Sequence, residues 1–278
     1  MALNLDCSTQ DYLIRTLKNL FGANILHTPR EISPLDVIEC NNKFDRPKYR
    51  GKLSSLISSD ALFDITEQDF ELRRIADVEG KKSRSINFDQ GFDILSGFLS
   101  GYGISSPNLK MQLAGSKEVS FSFKNVTNIL ISNGLLGQKI KAIKIDKTNA
   151  ANNNFFSDID ASEFTVVDSV ITSNEFLIHF NKSSEENFNL DFKKIENFIN
   201  DLNLGVKAKN LGETSIAFQG IKHLTFAFGC IQFILNDEGK VVGMPPYQKR
   251  ISGNFFSSKE KFENKMIEPD YDLIDLDF

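Results

Sequence analysis

The stretch EFTVVDSVITSNEFLIHF, residues 163–180, repeats apolar side chains at alternate positions. Successive side chains of a β-strand point to opposite faces of a sheet, so this spacing predicts strands with one apolar face. The polar run TSNE, residues 172–175, interrupts the spacing and predicts a turn between two strands. The apolar residues that share one parity are Phe164, Val166, Val170, Phe176, Ile178 and Phe180.

Similar patterns occur on both sides of this stretch. Residues 108–126 alternate over a long run and residues 69–88 alternate more weakly, which predicts strands in both segments. Further strands are predicted for ANILHTP (23–29), PLDVIEC (34–40), IAFQG (216–220), HLTFAFG (223–229) and CIQFILNDEGKVVG (230–243), the last with a turn at NDEG.

Helical spacing predicts helices over residues 9–20, 91–103 and 192–202. The second predicted helix is the first part of the segment GFDILSGFLSGYGISSPN, residues 91–108, which carries a single charged residue, Asp93. Its charge-free run is shorter than the ~20 residues of a membrane-spanning helix, and Pro107 interrupts its end. Two interpretations remain open: an ordinary core helix, or a segment that changes its packing partners during function.

The fold class follows from the order of these elements. Strands and helices follow one another without regular β-α-β alternation, which favours an α+β fold with a twisted, mostly antiparallel sheet and surrounding helices. The chain has 278 residues, 41% of them hydrophobic and 25% charged, as is typical of globular proteins. Since no signal peptide is recognisable and the three cysteines are scattered, we expect a protein that is kept inside a cell.

The negative charge is concentrated at the C-terminal end. Residues 252–278 carry seven acidic side chains and three lysines, a charge of −4, whereas the residues before them carry −1. The overall charge of −5 argues against nucleic acid as the main partner. Apolar residues recur within the acidic tail and predict that it docks on a surface: Ile267, Tyr271, Leu273, Ile274, Leu276 and Phe278.

The segment KFDRPKYRGK, residues 43–52, is the most basic part of the chain. It is predicted to be a loop, and its candidate membrane-contacting residues are Arg46, Lys48, Arg50 and Lys52. A solvated basic loop and a contact with an acidic patch of a partner are the alternatives.

No catalytic signature is recognisable in the chain. His27, His179 and His223 lack the spacing of a zinc site or of a general-base motif, and we expect them to be structural. The sequence also lacks a GxSxG motif, a P-loop and a GxGxxG motif. We therefore expect no enzymatic activity, no cofactor and no metal.

Taken together, six segments resemble the bacterial gasdermins. They are a short N-terminal segment with Cys7, ISPLDVIE (32–39), the glycine-rich segment at 91–103, VSFSFKNV (119–126), VVDSVITSNEFLIHF (166–180) and LTFAFGCIQFILNDEGKVVGMPP (224–246). The resemblance extends from about residue 7 to residue 250 and implies a gasdermin N-domain-like fold.

The resemblance also implies a mechanism. Residues 1–250 would be a pore-forming domain, and residues 251–278 a short autoinhibitory tail that a protease removes. The body would then oligomerise in the inner membrane into a large β-barrel pore and kill the cell in antiphage defence. Residues 70–88 with 109–126, and 163–182 with 205–219, would form the inserting hairpins, and the helices between them would move or refold.

Specific residues follow from the same resemblance. Cleavage is expected within residues 245–254, where Lys249 and Arg250 suit a basic-specific protease, and Cys7 is a candidate for palmitoylation. The expected partners are the activating protease, inner-membrane lipids and further copies of the chain, which would be cytoplasmic before activation. A soluble α+β binding module whose acidic tail docks a partner is the alternative from another functional class.

Overall fold

The computed structural model describes residues 24–39, 48–58, 63–75, 82–83, 85–104, 109–110, 113, 118–141, 143–146, 163–181 and 191–244. The strands within these ranges are β1 (Asn24–Arg30), β2 (Asp36–Glu39), β3 (Lys48–Lys52), β4 (Glu71–Arg74), β5 (Ile86–Asn87), β6 (Glu118–Lys124), β7 (Thr127–Leu130), β8 (Glu163–Phe180), β9 (Val206–Asn210), β10 (Ser215–Leu235) and β11 (Val241–Gly243). The helices are α1 (Phe88–Gly101), α2 (Asn133–Ile140) and α3 (Phe192–Asp201), with short 3₁₀ turns at Leu53–Leu56 and Glu67–Asp69.

The strands pair in an antiparallel arrangement. The main path of hydrogen-bonded neighbours runs β1-β10-β8-β2-β3. Antiparallel registers join β6 to β8, β2 to β3, β9 to β10 and β10 to β11. An antiparallel sheet with a few helices is the α+β class that the order of elements predicts, so the predicted fold class is confirmed.

β8 corrects the prediction of a turn at residues 172–175, because it continues through them as one strand of 18 residues. Two polar side chains of this run donate hydrogen bonds to backbone carbonyls at the end of β6 and at the start of β7. Ser173 Oγ donates to the carbonyl of Lys124 at 2.6 Å, and Thr172 Oγ1 donates to that of Thr127 at 3.4 Å. Since these side chains find partners across the sheet, a polar run is accommodated in a buried strand.

Two further strand predictions need correction. Residues 216–235, predicted as three strands, belong to the single 21-residue strand β10. Residues 109, 110 and 113 have a helical backbone, whereas the strand predicted there begins only at Glu118. Leu109 and Leu113 are four residues apart, a spacing that fits one face of a helix as well as one face of a strand. The turn at NDEG is confirmed by a hydrogen bond from Gly239 N to the Asn236 carbonyl at 2.9 Å.

The helices begin at polar caps. The Asn87 side chain accepts a hydrogen bond from Gln90 N at 2.9 Å at the start of α1, and Asp191 accepts one from Lys194 N at 3.0 Å at the start of α3. Both helices confirm the predicted segments. The sequence reasoning missed α2, whose two glycines lower its helix propensity although Ser132 caps it.

The chain divides into two units, and β8 and β10 contribute residues to both of them. Unit 1 falls within residues 1–31, 73–128 and 171–227, and its core contains α1 and a group of phenylalanines. Unit 2 falls within residues 32–72, 129–170 and 228–278. The core of unit 2 is formed by Leu35, Val37, Leu53, Leu56, Ile131, Leu136, Ile140, Ile143, Ile145, Phe164, Val166, Ile231, Phe233 and Leu235.

Candidate functional site

An aromatic cluster in unit 1 joins α1 to three strands. Phe121 stacks on Phe176 at 5.8 Å between ring centroids, and Phe123 meets Phe226 edge to face at 4.6 Å. From α1, the ring of Phe98 lies 5.6 Å from Phe176 and 5.8 Å from Phe226. All five rings are buried, so α1 covers an aromatic face formed by β6, β8 and β10.

Two glycines let α1 approach the strands closely. Gly91 lies against Val119 of β6, and a Cβ atom at Gly91 would overlap that side chain. Near the other end of α1, the Tyr102 ring lies on Gly220 of β10, where a Cβ would overlap the ring. Tyr102 Oη donates a hydrogen bond to the carbonyl of Lys222 at 2.5 Å. We call this contact of Tyr102 with Gly220 and Lys222 the tyrosine clasp.

Burial shifts the pKa of two groups in unit 1. Burial raises the pKa of the Tyr102 phenol well above its usual value, so the clasp keeps its donor proton. The pKa of His179 is lowered, chiefly by burial and then by the positive charges of Lys82 and Lys124. His179 Nδ1 lies 2.6 Å from Ser215 Oγ, and this hydrogen bond links β8 to β10. A lowered pKa favours neutral imidazole at neutral pH, which fits the predicted structural role.

The segments predicted to form inserting hairpins are bonded to each other in part in this structure and also pair with other strands. Phe180 N, in residues 163–182, donates to the carbonyl of Thr214, in residues 205–219, at 2.8 Å. β8 pairs with β6 from Val119↔Phe180 to Lys124↔Glu175. Residues 205–219 are not one strand, because they contain β9, a turn and the first part of β10, and these two strands pair with each other. β5 pairs with β6 at Ile86↔Val119. The hairpins expected in a membrane remain a prediction.

The basic segment at 43–52 is corrected from a loop to a strand in its second half, since β3 begins at Lys48. Arg50 lies on β3 with an exposed side chain. Lys52 Nζ lies 2.6 Å from Oδ1 of Asp36, whose side chain is fully buried. Burial raises the pKa of Asp36, while its bonds to Lys52 and to Ser33 N lower it. Lys52 thus has a structural role in unit 2, and membrane contact by this segment stays a prediction.

Several predicted site residues lie outside the described residues. Cys7, Arg46, Lys249 and Arg250 are among them, and so is the boundary predicted at residue 250. The tail residues Ile267, Tyr271, Leu273, Ile274, Leu276 and Phe278 are outside them as well. Their proposed roles remain predictions.

Sequence reasoning did not identify the tyrosine clasp. In the sequence, Tyr102 lies within the helix predicted over residues 91–103, and Gly220 ends the strand predicted over residues 216–220. A signal was present, since a glycine inside an apolar strand pattern often marks the close approach of another group.

Within the described ranges, no group of three or more His, Cys, Asp or Glu side chains is arranged to hold a metal ion. None of the helices in the same ranges is both long enough and apolar enough to cross a membrane.

Comparisons with known proteins agree on one family. The sequence model of the Bacterial Gasdermin Family matches residues 25–240. The chain is 27% identical over 225 residues to gasdermin bGSDM of Vitiosangium sp., an alignment that covers 80% of each protein. The structure of a bacterial gasdermin from Bradyrhizobium tropiciagri superimposes with a TM-score of 0.58 and 18% identity, over 87% of this chain and 94% of that one.

Proposed function

The chain belongs to the bacterial gasdermin family, whose members are pore-forming and not enzymes, and we propose that it is an autoinhibited pore-forming protein activated by proteolysis of its C-terminal tail. The observation that carries the proposal is the family match, which spans residues 25–240 and so includes every strand from β2 to β10. Antiphage cell death is the proposed outcome of the pore.

The charge distribution supports the tail as the inhibitory element. Residues 252–278 contribute −4 of the total charge of −5, so their removal leaves a body close to neutral. A negative surface of the inner leaflet repels acidic segments, and a nearly neutral body approaches it more easily. The apolar residues of the tail would cover an assembly surface until a protease cuts within residues 245–254, with Lys249 and Arg250 as the candidate sites.

The lengths of β8 and β10 are compatible with a rearrangement of the strands upon activation. A strand spans the hydrocarbon core of a bilayer with about 9–11 residues. β8 has 18 residues and β10 has 21, so each is long enough to span it. We propose that α1 leaves the aromatic face when the strands rearrange into a large β-barrel pore.

Lipidation would add to membrane attachment. A single acyl chain gives only marginal, reversible binding, so a palmitoyl group on Cys7 would act mainly through the many copies of an oligomer. We propose that the protein is cytoplasmic before cleavage and lies in the inner membrane afterwards. An intact-mass spectrum of protein from its native host tests the lipid directly, and a mass without the palmitoyl increment contradicts it.

Dye release from liposomes of bacterial lipid tests the proposed function. A specific protease site is introduced at several positions between residues 245 and 254, and each variant is compared before and after cutting. Protein with a scrambled site, treated with the same protease, is the control. We expect release only from the cut variants, because the intact tail prevents assembly.

The opposite result has a definite meaning. If no cut variant releases dye while circular dichroism shows a folded body, the pore proposal is wrong and a tail-dependent binding module becomes the better account. Processing in the native host tests the cleavage residues separately. A Lys249→Gln/Arg250→Gln variant that still yields the same product excludes cutting at these two residues.

A further inference from the structure

The helix α2 begins with the dipeptide Asn133–Gly134, the only place in the chain where a glycine follows an asparagine. An asparagine before a glycine can modify itself without an enzyme. The backbone nitrogen of the glycine attacks the carbon of the side-chain amide, and a cyclic imide forms as ammonia leaves. Glycine favours this reaction because it has no side chain to hinder the attack and its backbone adopts many conformations.

The dipeptide is open to solvent. Asn133 and Gly134 are both exposed. Nothing lies within 4 Å of the position that a Cβ atom would take at Gly134. Water, which opens the imide in the second step of the reaction, therefore reaches the dipeptide directly.

The attacking nitrogen lies in the first turn of α2, where backbone N–H groups have no acceptor within the helix. Ser132 caps this turn, since its side chain accepts a hydrogen bond from Leu135 N at 3.3 Å and its carbonyl accepts one from Leu136 N at 2.9 Å. Neither of these bonds uses the Gly134 nitrogen. The cap therefore holds the turn in place without occupying the atom that reacts.

The helical backbone restrains the reaction. Ring closure requires the Gly134 nitrogen to rotate toward the Asn133 side chain, and this rotation breaks the helical conformation of Asn133. The first turn must therefore open before the ring can close. Gly134 and Gly137 lower the helix propensity of α2, and its buried residues, Leu136 and Ile140, follow the dipeptide and anchor the later part of the helix. Both features favour opening at the start of α2.

Other exposed asparagines of the described ranges lack this combination. Asn197 is exposed on α3, but the bulky residue Phe198 follows it. Asn200 is exposed too, but its side-chain amide makes two hydrogen bonds with the backbone of Ala208. Asn133 differs from both in having a glycine after it and open space around that glycine.

We propose that Asn133 is a self-modification site, at which the side-chain amide is converted to a carboxylic acid when the first turn of α2 opens. In the first step, the bond from Cγ to Nδ2 breaks as the bond from Cγ to the Gly134 nitrogen forms, and the proton of that nitrogen leaves with the ammonia. Water then opens the imide. The amide and water thus give a carboxylic acid and ammonia, and nothing is oxidised or reduced.

The two products of the reaction affect α2 in opposite ways. Opening of the imide at the side-chain carbonyl gives aspartate, whose negative charge is favourable near the N-terminus of a helix. Opening at the backbone carbonyl gives isoaspartate, in which the main chain runs through the former side chain and is longer by a methylene group. The longer main chain displaces Ser132 from Leu135 N and keeps the first turn open.

Peptide mapping by mass spectrometry tests the proposal on the intact full chain. The protein is incubated at mildly alkaline pH, once folded and once unfolded in urea, and conversion at Asn133 is followed with time. Asn197 in the same samples is the matched internal control. We expect conversion of Asn133 in both samples, about tenfold slower in the folded chain because the turn must open first. Asn197 should keep its amide over the same period.

Two variants connect the reaction to α2. Ser132→Ala removes the cap and should accelerate conversion in the folded chain about fivefold, without a change in urea. Gly134→Ala should slow conversion about tenfold in both samples, because its methyl group hinders the attack. If Ser132→Ala does not fold, Ser132→Gly is measured, and a smaller acceleration is expected.

Three outcomes overturn the proposal. They are an Asn133 that keeps its amide in the folded chain, an Asn197 that converts as fast as Asn133, and a cap variant that converts at the wild-type rate. None of these measurements involves a protease or a membrane, so their result and the result of the dye-release experiment are independent of each other.

Discussion

The helices α1 and α3 cover different parts of the same unit. α1 lies on the face of the sheet, where it buries aromatic side chains and closes the tyrosine clasp. α3 lies along an edge, where Asn200 binds the backbone of Ala208. Removal of α1 would expose apolar side chains, whereas removal of α3 would expose backbone groups of β9 in addition to the apolar surface under Ile195 and Ile199. In the hydrocarbon core of a bilayer, lipid can replace the apolar contacts of α1, whereas the backbone groups of β9 would need hydrogen-bonding partners from protein.

The two helices should therefore differ in how much stability their contacts supply. Full burial of a large apolar side chain contributes more than a typical hydrogen bond, whose net value is about 0.5–1.5 kcal/mol. The face covered by α1 should be the stronger of the two attachments. The predictions below test the contacts of α1 and the polar link between β8 and β10, beginning with the largest expected effect.

Phe98→Ala should be the most destabilising change on α1. Its ring is fully buried and lies within 5.8 Å of Phe176 and Phe226, so the substitution should lower the free energy of unfolding by about 3–5 kcal/mol. Urea unfolding followed by circular dichroism measures the change. Phe88→Ala on the same helix is the control, since Phe88 is only half-buried. Equal losses for both substitutions would contradict the claim that α1 is anchored through Phe98.

Gly220→Ala should show how closely α1 approaches β10. The added methyl group would overlap the Tyr102 ring, and overpacking of this kind costs about 1–3 kcal/mol. Gly134→Ala in α2 is the matched control, because nothing lies within 4 Å of its Cβ position. The control should be neutral or stabilising by up to about 1 kcal/mol. If thermal unfolding shifts alike in both variants, the close approach does not constrain the fold.

Tyr102→Phe should remove only the hydrogen bond of the clasp, at a cost of about 1 kcal/mol. In the Gly220→Ala background the same substitution should cost less, because the ring has already been displaced from Lys222. A double-mutant cycle by urea unfolding measures this coupling. Additive effects would mean that Gly220 and the hydroxyl group act independently.

The strands were largely predictable because alternation of side chains is a local signal. The continuity of β8 was not predictable from the sequence. Residues 172–175 continue the strand because Ser173 and Thr172 bond to the carbonyl groups of Lys124 and Thr127, which are distant in sequence. Residues 109, 110 and 113 were misassigned for a different reason, because the spacing of four between Leu109 and Leu113 fits one face of a helix and one face of a strand.

The candidate site was less predictable than the fold. The amphipathic pattern identifies α1 and α3 as helices, but it does not indicate which strand each one contacts. Asn200 appears in the sequence as an ordinary polar residue near a helix end, and its role becomes visible only when the turn at Gly205 places β9 beside it. Polar residues that cover a sheet edge give no periodic signal.

The smallest predicted effect concerns pH and the polar link between β8 and β10. Burial lowers the pKa of His179 below the value of about 6.5 expected in the unfolded chain, so the unfolded chain binds more protons in this window. Stability supplied by neutral His179 is therefore complete above about pH 6.5 and falls as the pH drops toward the folded-state pKa. The melting temperature of wild type should decrease from about pH 7.5 to about pH 5.5, and His179→Gln should flatten this slope. Tyr102→Phe should keep the wild-type slope, because the clasp does not titrate in this range. If His179→Gln has an equally steep slope, the pH sensitivity lies elsewhere in the chain, and neutral His179 does not contribute to the stability of the polar link between β8 and β10.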